Sequence, residues 1–143
     1  MKIVYISNSI IPSRTANSIH VMKMCQAFAD NGHEVILLAP EYNNLEQNIS
    51  VFEYYGVKQN FEIKYIKFLN VNKIWSFSYA LNTYKFIKNL DNIDIVYGRD
   101  LKSCFFATKT SKNIKVEYEP HKPYDKHNFV EKYFLKRIVK ESN

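Results

Sequence analysis

A chain of 143 residues, 46% hydrophobic and 24% charged, has the composition of one globular domain of roughly 100 to 200 residues and leaves no room for a second. No apolar run approaches the roughly 20 residues of a membrane span, and the N-terminal run turns polar at Ser7, too soon for a signal peptide, which points to the cytoplasm. Cys25 and Cys104 offer neither a disulfide framework nor a zinc ligand set, and a net charge of +6 favours anionic partners such as phosphates, nucleic acid or an acidic lipid surface.

Residues 2–6 form a β-branched and aromatic run with little polar interruption, the pattern of a strand covered on both faces. After a polar loop containing Pro12, Val21, Met22, Cys25, Phe28 and Ala29 fall on one helical stripe, with Asn17 or Ser18 as cap and Gly32 as stop. A second strand, 34–39, ends at Pro40 and completes a βαβ unit. In the Asn- and acid-rich stretch 41–60 only the apolar-aromatic patch 51–55, ended by Gly56, is structured in expectation. Strict alternation over 61–68 predicts a strand with one exposed face or an edge position. A helix over 76–90 presents Tyr79, Ala80, Thr83, Phe86, Ile87 and Leu90 on one side; a strand at 93–97 is broken by Gly98. Asp100 caps a helix running through Phe105, Phe106 and Ala107, and a fifth strand, 114–118, precedes Pro120. The last helix, from about Asn128, turns Val130, Tyr133, Phe134 and Ile138 to one face. Strands separated by helices with short turns predict a Rossmann-like, doubly wound, mainly parallel α/β sheet with helices on both faces.

In such sheets the working groups lie beyond the carboxyl ends of the strands, here residues 7–20, 97–101 and 118–128. The first loop has no glycine, so it lacks the geometry of a dinucleotide fingerprint or a P-loop. It nevertheless leads into a helix N-terminus, and Ser9, Arg14, Asn17 and His20 supply charge and hydrogen bonds suited to a sugar or phosphate. The plainer reading makes Asn17 and Ser18 helix caps, Arg14 a solvated cation and His20 a structural or exposed residue. Arg99, following Gly98, reaches towards an anion in the cleft, and Asp100 is a cap rather than an acid or base. In Glu117-Tyr118-Glu119-Pro120-His121 a strand emerges into a loop carrying Glu119 and His121 two apart, spaced to project together if the backbone stays extended. His33 lies at the opposite end of the sheet, and His127 is the weaker candidate. The aromatic stretch 74–79 reads as a packed strand end or helix start before it reads as a base-stacking surface, and the basic last helix docks on the core in preference to lying on an acidic bilayer. Positive charge spread along the chain, with no recognition motif, does not make a nucleic-acid binder.

The chain resembles the N-terminal domain of GT-B glycosyltransferases, in particular the family 4 enzymes of bacterial polysaccharide and glycolipid synthesis. The resemblance is carried by the opening strand, by Ala29-Asp30-Asn31-Gly32-His33-Glu34-Val35, by Asp94-Ile95-Val96-Tyr97-Gly98-Arg99 and by Val116-Glu117-Tyr118-Glu119-Pro120-His121. It implies the acceptor-binding half of an enzyme that transfers a sugar, with retention and without a metal or other cofactor, from a nucleotide-sugar co-substrate to a glycan or lipid-linked acceptor. By motif position His121 looks like the family histidine that reaches the donor sugar, with the first loop lining acceptor and donor phosphate and Arg99 beside them. Where the family often has a Gly-Gly pair before the first helix, this chain has Ala16-Asn17-Ser18. The family also carries a second, nucleotide-binding domain. The chain stops at Asn143, which implies a single domain over 1–143, incomplete at its C-terminus, that binds without turnover. A non-catalytic module that pairs with a separate donor-binding chain, or tethers it at the inner face of the membrane, is the alternative.

Overall fold

The computed structural model describes residues 1–42, 50–72, 74–110 and 114–141. Its elements run β1 (Lys2–Ile6), α1 (Ala16–Asp30), β2 (Glu34–Pro40), α2 (Val51–Tyr55), β3 (Glu62–Ile66), α3 (Trp75–Asn89), β4 (Ile95–Gly98), α4 (Leu101–Ala107), β5 (Lys115–Tyr118) and α5 (Phe129–Glu141). The five strands form one parallel sheet in the order β3-β2-β1-β4-β5. β1 and β2 are buried along almost their whole length because helices cover both faces, as their unbroken apolar runs predict. β3 is an edge strand with exposed Glu62 and Lys64, which is why its sequence alternates. The Asn- and acid-rich residues 43–49, and Asn143, lie outside the described residues.

Strand parity divides the core into two layers. Ile3, Tyr5, Val35, Leu37 and Ala39 face α1, where Val21, Met22 and Cys25 are fully buried. Val4, Ile6, Ile36, Leu38, Val96 and Val116 face the other way, onto Tyr79 and Ile87 of α3, Cys104 of α4 and Ile138 of α5. Both cysteines are free and buried, and burial pushes their thiols up. Tyr79 ties the second layer to the sheet edge: its hydroxyl lies 2.6 Å from the Ser7 carbonyl and 3.1 Å from that of Leu38, and burial raises its pKa well above the ordinary value. Tyr79→Phe is expected to lower stability by about 1–2 kcal/mol in urea unfolding, because the Ser7 carbonyl loses its buried donor.

Three local expectations are corrected. The cap of α1 is Thr15, whose hydroxyl accepts from the Ser18 amide at 3.3 Å; neither Asn17 nor Ser18 is free to cap, since Asn17 bonds Ser9 and Arg99 and Ser18 bonds the carbonyls of Ser13 and Thr15. The helix therefore starts earlier, and His20 stands in its second turn. Gly98 is the last residue of β4 rather than a turn. There a Cβ would lie 2.8 Å from Cys104 Sγ and 3.0 Å from Ile6 Cβ, so glycine is set by packing, not by backbone conformation. Finally, α5 docks through Phe134, Leu135 and Ile138, with Phe134 stacked on Phe105 at 4.1 Å, while Val130 and Tyr133 of the expected face stay exposed. The short α4 offers too little surface to cover a wider stripe.

Candidate functional site

Three loops leave the carboxyl ends of β1, β4 and β5 side by side, because these strands are neighbours in the sheet. The first is held by side chains in place of glycines. Ser9 N donates to Ser7 Oγ at 3.1 Å, Ile11 is buried in the α1 layer, and Ser13 exchanges hydrogen bonds with the Tyr55 hydroxyl, at 2.6 Å through its amide and 2.9 Å through its carbonyl. The peptide bond between Ile11 and Pro12 is cis. This loop delivers Asn17 to the first turn of α1 with its amide turned to Ser9 Oγ.

Arg99 extends from β4 across to the same turn. Its backbone N–H bonds the Ile6 carbonyl at 3.0 Å, and its Nη1 donates to Asn17 Oδ1. Its Nε is buried without a hydrogen bond of its own, but it lies 3.4 Å from Glu119 Oε1 in an ion pair. Glu119 is placed by its own N–H, which bonds the Gly98 carbonyl at 2.9 Å. Its carboxylate also accepts from the Tyr97 hydroxyl at 3.1 Å and lies 3.5 Å from His20 Nε2. Ser9, Asn17, Arg99, Glu119 and His20 thus form one continuous polar chain across three loops. Burial first, and then the Glu119 charge, push the Tyr97 phenol up to about 12, so it stays a donor to the carboxylate throughout the neutral range.

The remaining candidates stand apart. His121 is exposed and no hydrogen bond or ion pair joins it to Glu119; it lines a cleft of about 300 Å³ together with Asn8, Arg99, Asp100, Tyr118 and His127. Arg99 therefore serves both the polar chain and this cleft. Arg14 is exposed and lines a separate hollow with Ser13, Ile19, Tyr54 and Tyr55. Asp100 is the cap expected of it, accepting from the Ser103 amide at 2.9 Å, and Asn8 Nδ2 reaches it at 3.4 Å. Tyr97 and Asn8 are members that sequence reasoning missed. Tyr97 was detectable by parity, since it pairs with Tyr5 and lies an even number of residues from Arg99. Larger grooves run between α2 and the amino ends of β2 and β3, about 690 Å³, and along α5 beyond His121, about 830 Å³. The first lies at the wrong end of the strands to join these loops.

His127 is structural. It is buried, with Nδ1 3.1 Å from Glu131 Oε2 and Nε2 3.2 Å from the Lys122 carbonyl. Glu131 also takes Lys122 Nζ at 2.9 Å and exchanges hydrogen bonds with Asn128 in a capping box, which starts α5. The Lys122 hydrogen bond, ahead of the Asn128 and His127 bonds, holds the Glu131 carboxyl below its ordinary value of 4.5. A lowered folded-state pKa gives stability that is complete above the unfolded value and lost as pH falls through the folded one. The protection of the Asn128 amide against exchange, relative to its intrinsic rate, is therefore expected to fall on acidification below about pH 4.5, and Glu131→Gln to remove that step; an unchanged pH profile in the variant would contradict the assignment.

Chemically, the site presents a guanidinium, an amide, an imidazole and hydroxyls around one carboxylate, a set that hydrogen-bonds vicinal hydroxyls and neutralises a phosphate. Among the described residues no group of three or more His, Cys, Asp or Glu side chains is placed to hold a metal ion. No helix among them is long and apolar enough to cross a membrane.

The family model described as Glycosyltransferase Family 4 matches residues 18–142, which takes in His20, Arg99, Glu119 and His121 but not Ser9, Arg14 or Asn17. No curated protein gives a significant match. Among solved structures the chain is similar to a lipopolysaccharide outer core galactosyltransferase, WaaB, in its apo form, with a TM-score of 0.57 and 14% identity. That match covers 99% of this chain and 41% of the other, so the chain spans about two fifths of the length of that protein. At this identity the likeness is one of fold, and it extends over the whole parallel sheet.

Proposed function

The chain belongs to glycosyltransferase family 4, and on that premise we propose that it is the acceptor-binding half of a retaining glycosyltransferase that moves a sugar from a nucleotide-sugar to a glycan or lipid-linked acceptor. The observation that carries this reading is the continuous polar chain from Ser9 through Asn17 and Arg99 to Glu119 and His20. Its donors and single carboxylate suit a hydroxyl-rich ligand, and it stands where parallel α/β sheets bind their ligands. Arg99 is the residue placed to meet acceptor hydroxyls or a donor phosphate, and Glu119 to accept from a hydroxyl while holding Arg99 in position. His121, open to the same cleft as Arg99, is free to reach the donor sugar.

These residues form one wall. Transfer needs the acceptor hydroxyl, the anomeric carbon and the developing diphosphate charge held together in a closed site, so by itself this chain binds acceptor weakly and does not turn over. Calorimetric titration with nucleotide-sugars and simple saccharides tests the division of labour. Weak saccharide binding without release of nucleotide is expected; tight binding of a free nucleotide to this chain would overturn it.

A further inference from the structure

Strand β3 forms one side of the sheet, and its outer edge is open. The Glu41 N–H bonds the Ile66 carbonyl at 3.0 Å, so the Ile66 backbone turns to β2. Backbone direction alternates along a parallel ladder, so Glu62 and Lys64 also turn inward, while Ile63 and Tyr65 aim their N–H and C=O groups outward. Among the described residues no hydrogen bond reaches those four groups. On one face of this edge, Phe61, Ile63 and Tyr65 line the groove of about 690 Å³ with Val51 and Phe52 of α2. On the other face Lys64 and Glu62 stand 2.5 Å apart, with side chains 45% and 52% exposed.

A lysine in the middle of an edge strand ordinarily keeps other strands away. With Glu62 two residues before it, the same edge is complementary to its own copy run antiparallel. An antiparallel pair must set outward backbone groups opposite one another, which leaves few registers. Centring on Glu62 or on Lys64 puts like charges face to face, and centring on Tyr65 puts both charges opposite apolar residues. Centring on Ile63 instead sets Glu62 of each copy opposite Lys64 of the other, with Ile63 against Ile63 and Phe61 against Tyr65. The two charged pairs fall at the closer, non-hydrogen-bonded positions, where Cα atoms lie about 4.5 Å apart. We propose that β3 is a self-association edge, through which two copies of this chain join their five-stranded sheets antiparallel about Ile63. The grooves of the two copies then meet on one face and cover the outward side of Ile63 and Tyr65. The carboxyl edges that carry Arg99 and Glu119 open at opposite ends of the joined sheet, so the association leaves them free and does not depend on the proposed activity. The other outer strand, β5, has a similar pair in Lys115 and Glu117, 2.7 Å apart. Its outward residue Tyr118 is followed at the next outward position by Pro120, which has no N–H to donate, so that edge pairs over a shorter length.

Sedimentation velocity over a concentration series tests it, at physiological salt, which screens the +6 charge of each copy. The unaltered chain is expected to pass from monomer to dimer as its concentration rises. Glu62→Lys and Lys64→Glu each turn both cross-strand pairs repulsive and should each weaken the dimer on the order of tenfold. Mixed together, the two variants should form a heterodimer, because opposite charges face each other again. Both side chains are exposed, so neither substitution disturbs the core. Hydrogen exchange adds a readout that needs no variant: protection of the Ile63 and Tyr65 amides should rise with protein concentration. A chain that stays monomeric at millimolar concentration, single variants that dimerise as well as the unaltered chain, or a mixture that fails to associate would each overturn the proposal. So would protection gained at Tyr118 in place of Ile63 and Tyr65, which would put the contact at β5.

Discussion

Arg99→Ala is expected to abolish detectable saccharide binding and to lower stability by about 1–3 kcal/mol in urea unfolding. The guanidinium joins both sides of the site, donating to Asn17 Oδ1 and facing Glu119 at 3.4 Å. Without it, the Glu119 carboxylate keeps only the Tyr97 hydroxyl at 3.1 Å and the more distant His20. Asn17 loses one of the two partners, Ser9 and Arg99, that fix its amide. Glu119 is still about a quarter open to water, at 27%, which recovers part of the lost solvation and keeps the cost below that of a fully buried orphan charge. Arg99→Lys should restore little of the binding, because one ammonium cannot reproduce the separate directions of Nη1 and Nε. In a double-mutant cycle with Glu119→Gln, the two losses should sum to more than the double variant shows. Strict additivity would mean that the pair is a coincidence of surface charge.

Gly98→Ala should cost about as much stability while adding no polar change, roughly 1–3 kcal/mol. The new Cβ would meet Cys104 Sγ at 2.8 Å, Ile6 Cβ at 3.0 Å and the Ile6 carbonyl at 3.1 Å. The thiol belongs to a fully buried residue and Ile6 belongs to the central strand, so none of the three can withdraw into solvent. The displacement would be felt at the site, because Arg99 N–H bonds the Ile6 carbonyl and Glu119 N–H bonds the Gly98 carbonyl. Binding should therefore fall along with the unfolding midpoint. Cys104→Ala in the same chain removes the closest contact and should recover part of the loss, though less than all of it, since both Ile6 contacts persist.

The sheet was legible in the sequence because its signals are local. An uninterrupted apolar run marks β1, strict alternation marks the edge strand β3, and Gly32, with φ at +82°, ends the turn after α1. The pairing within the site was not legible. Spacing suggested that Glu119 works with His121, whereas Glu119 turns to Arg99 and His20 and leaves His121 exposed. That choice depends on β5 lying beside β4, and on the bond between Asn17 and Arg99, 82 residues apart. Arg14 fails to join the group for a related reason. The loop is pinned by Ser13 to Tyr55 of α2, and Arg14 lines the hollow beside that helix instead. The cap of α1 reads from the sequence as Asn17 or Ser18, whereas Thr15 takes that place, because Ser9 and Arg99 claim Asn17 and the Ser13 and Thr15 carbonyls claim the Ser18 hydroxyl. In the last helix, periodicity gave an apolar face but not its coverage; Phe105 selects Phe134 and leaves Tyr133 half in solvent.

The central claim is that the carboxyl-edge chain of Ser9, Asn17, His20, Arg99 and Glu119 is a saccharide site, and chemical-shift mapping of the isotope-labelled protein during titration with mono- and disaccharides tests it most directly. The account predicts concentration-dependent shifts at Asn17, His20, Arg99 and Glu119, lost in Arg99→Ala, while Glu34, Phe61 and Tyr65 in the groove at the opposite end stay still. Shifts confined to that opposite groove, or none at the carboxyl edge at saturating saccharide, would contradict it.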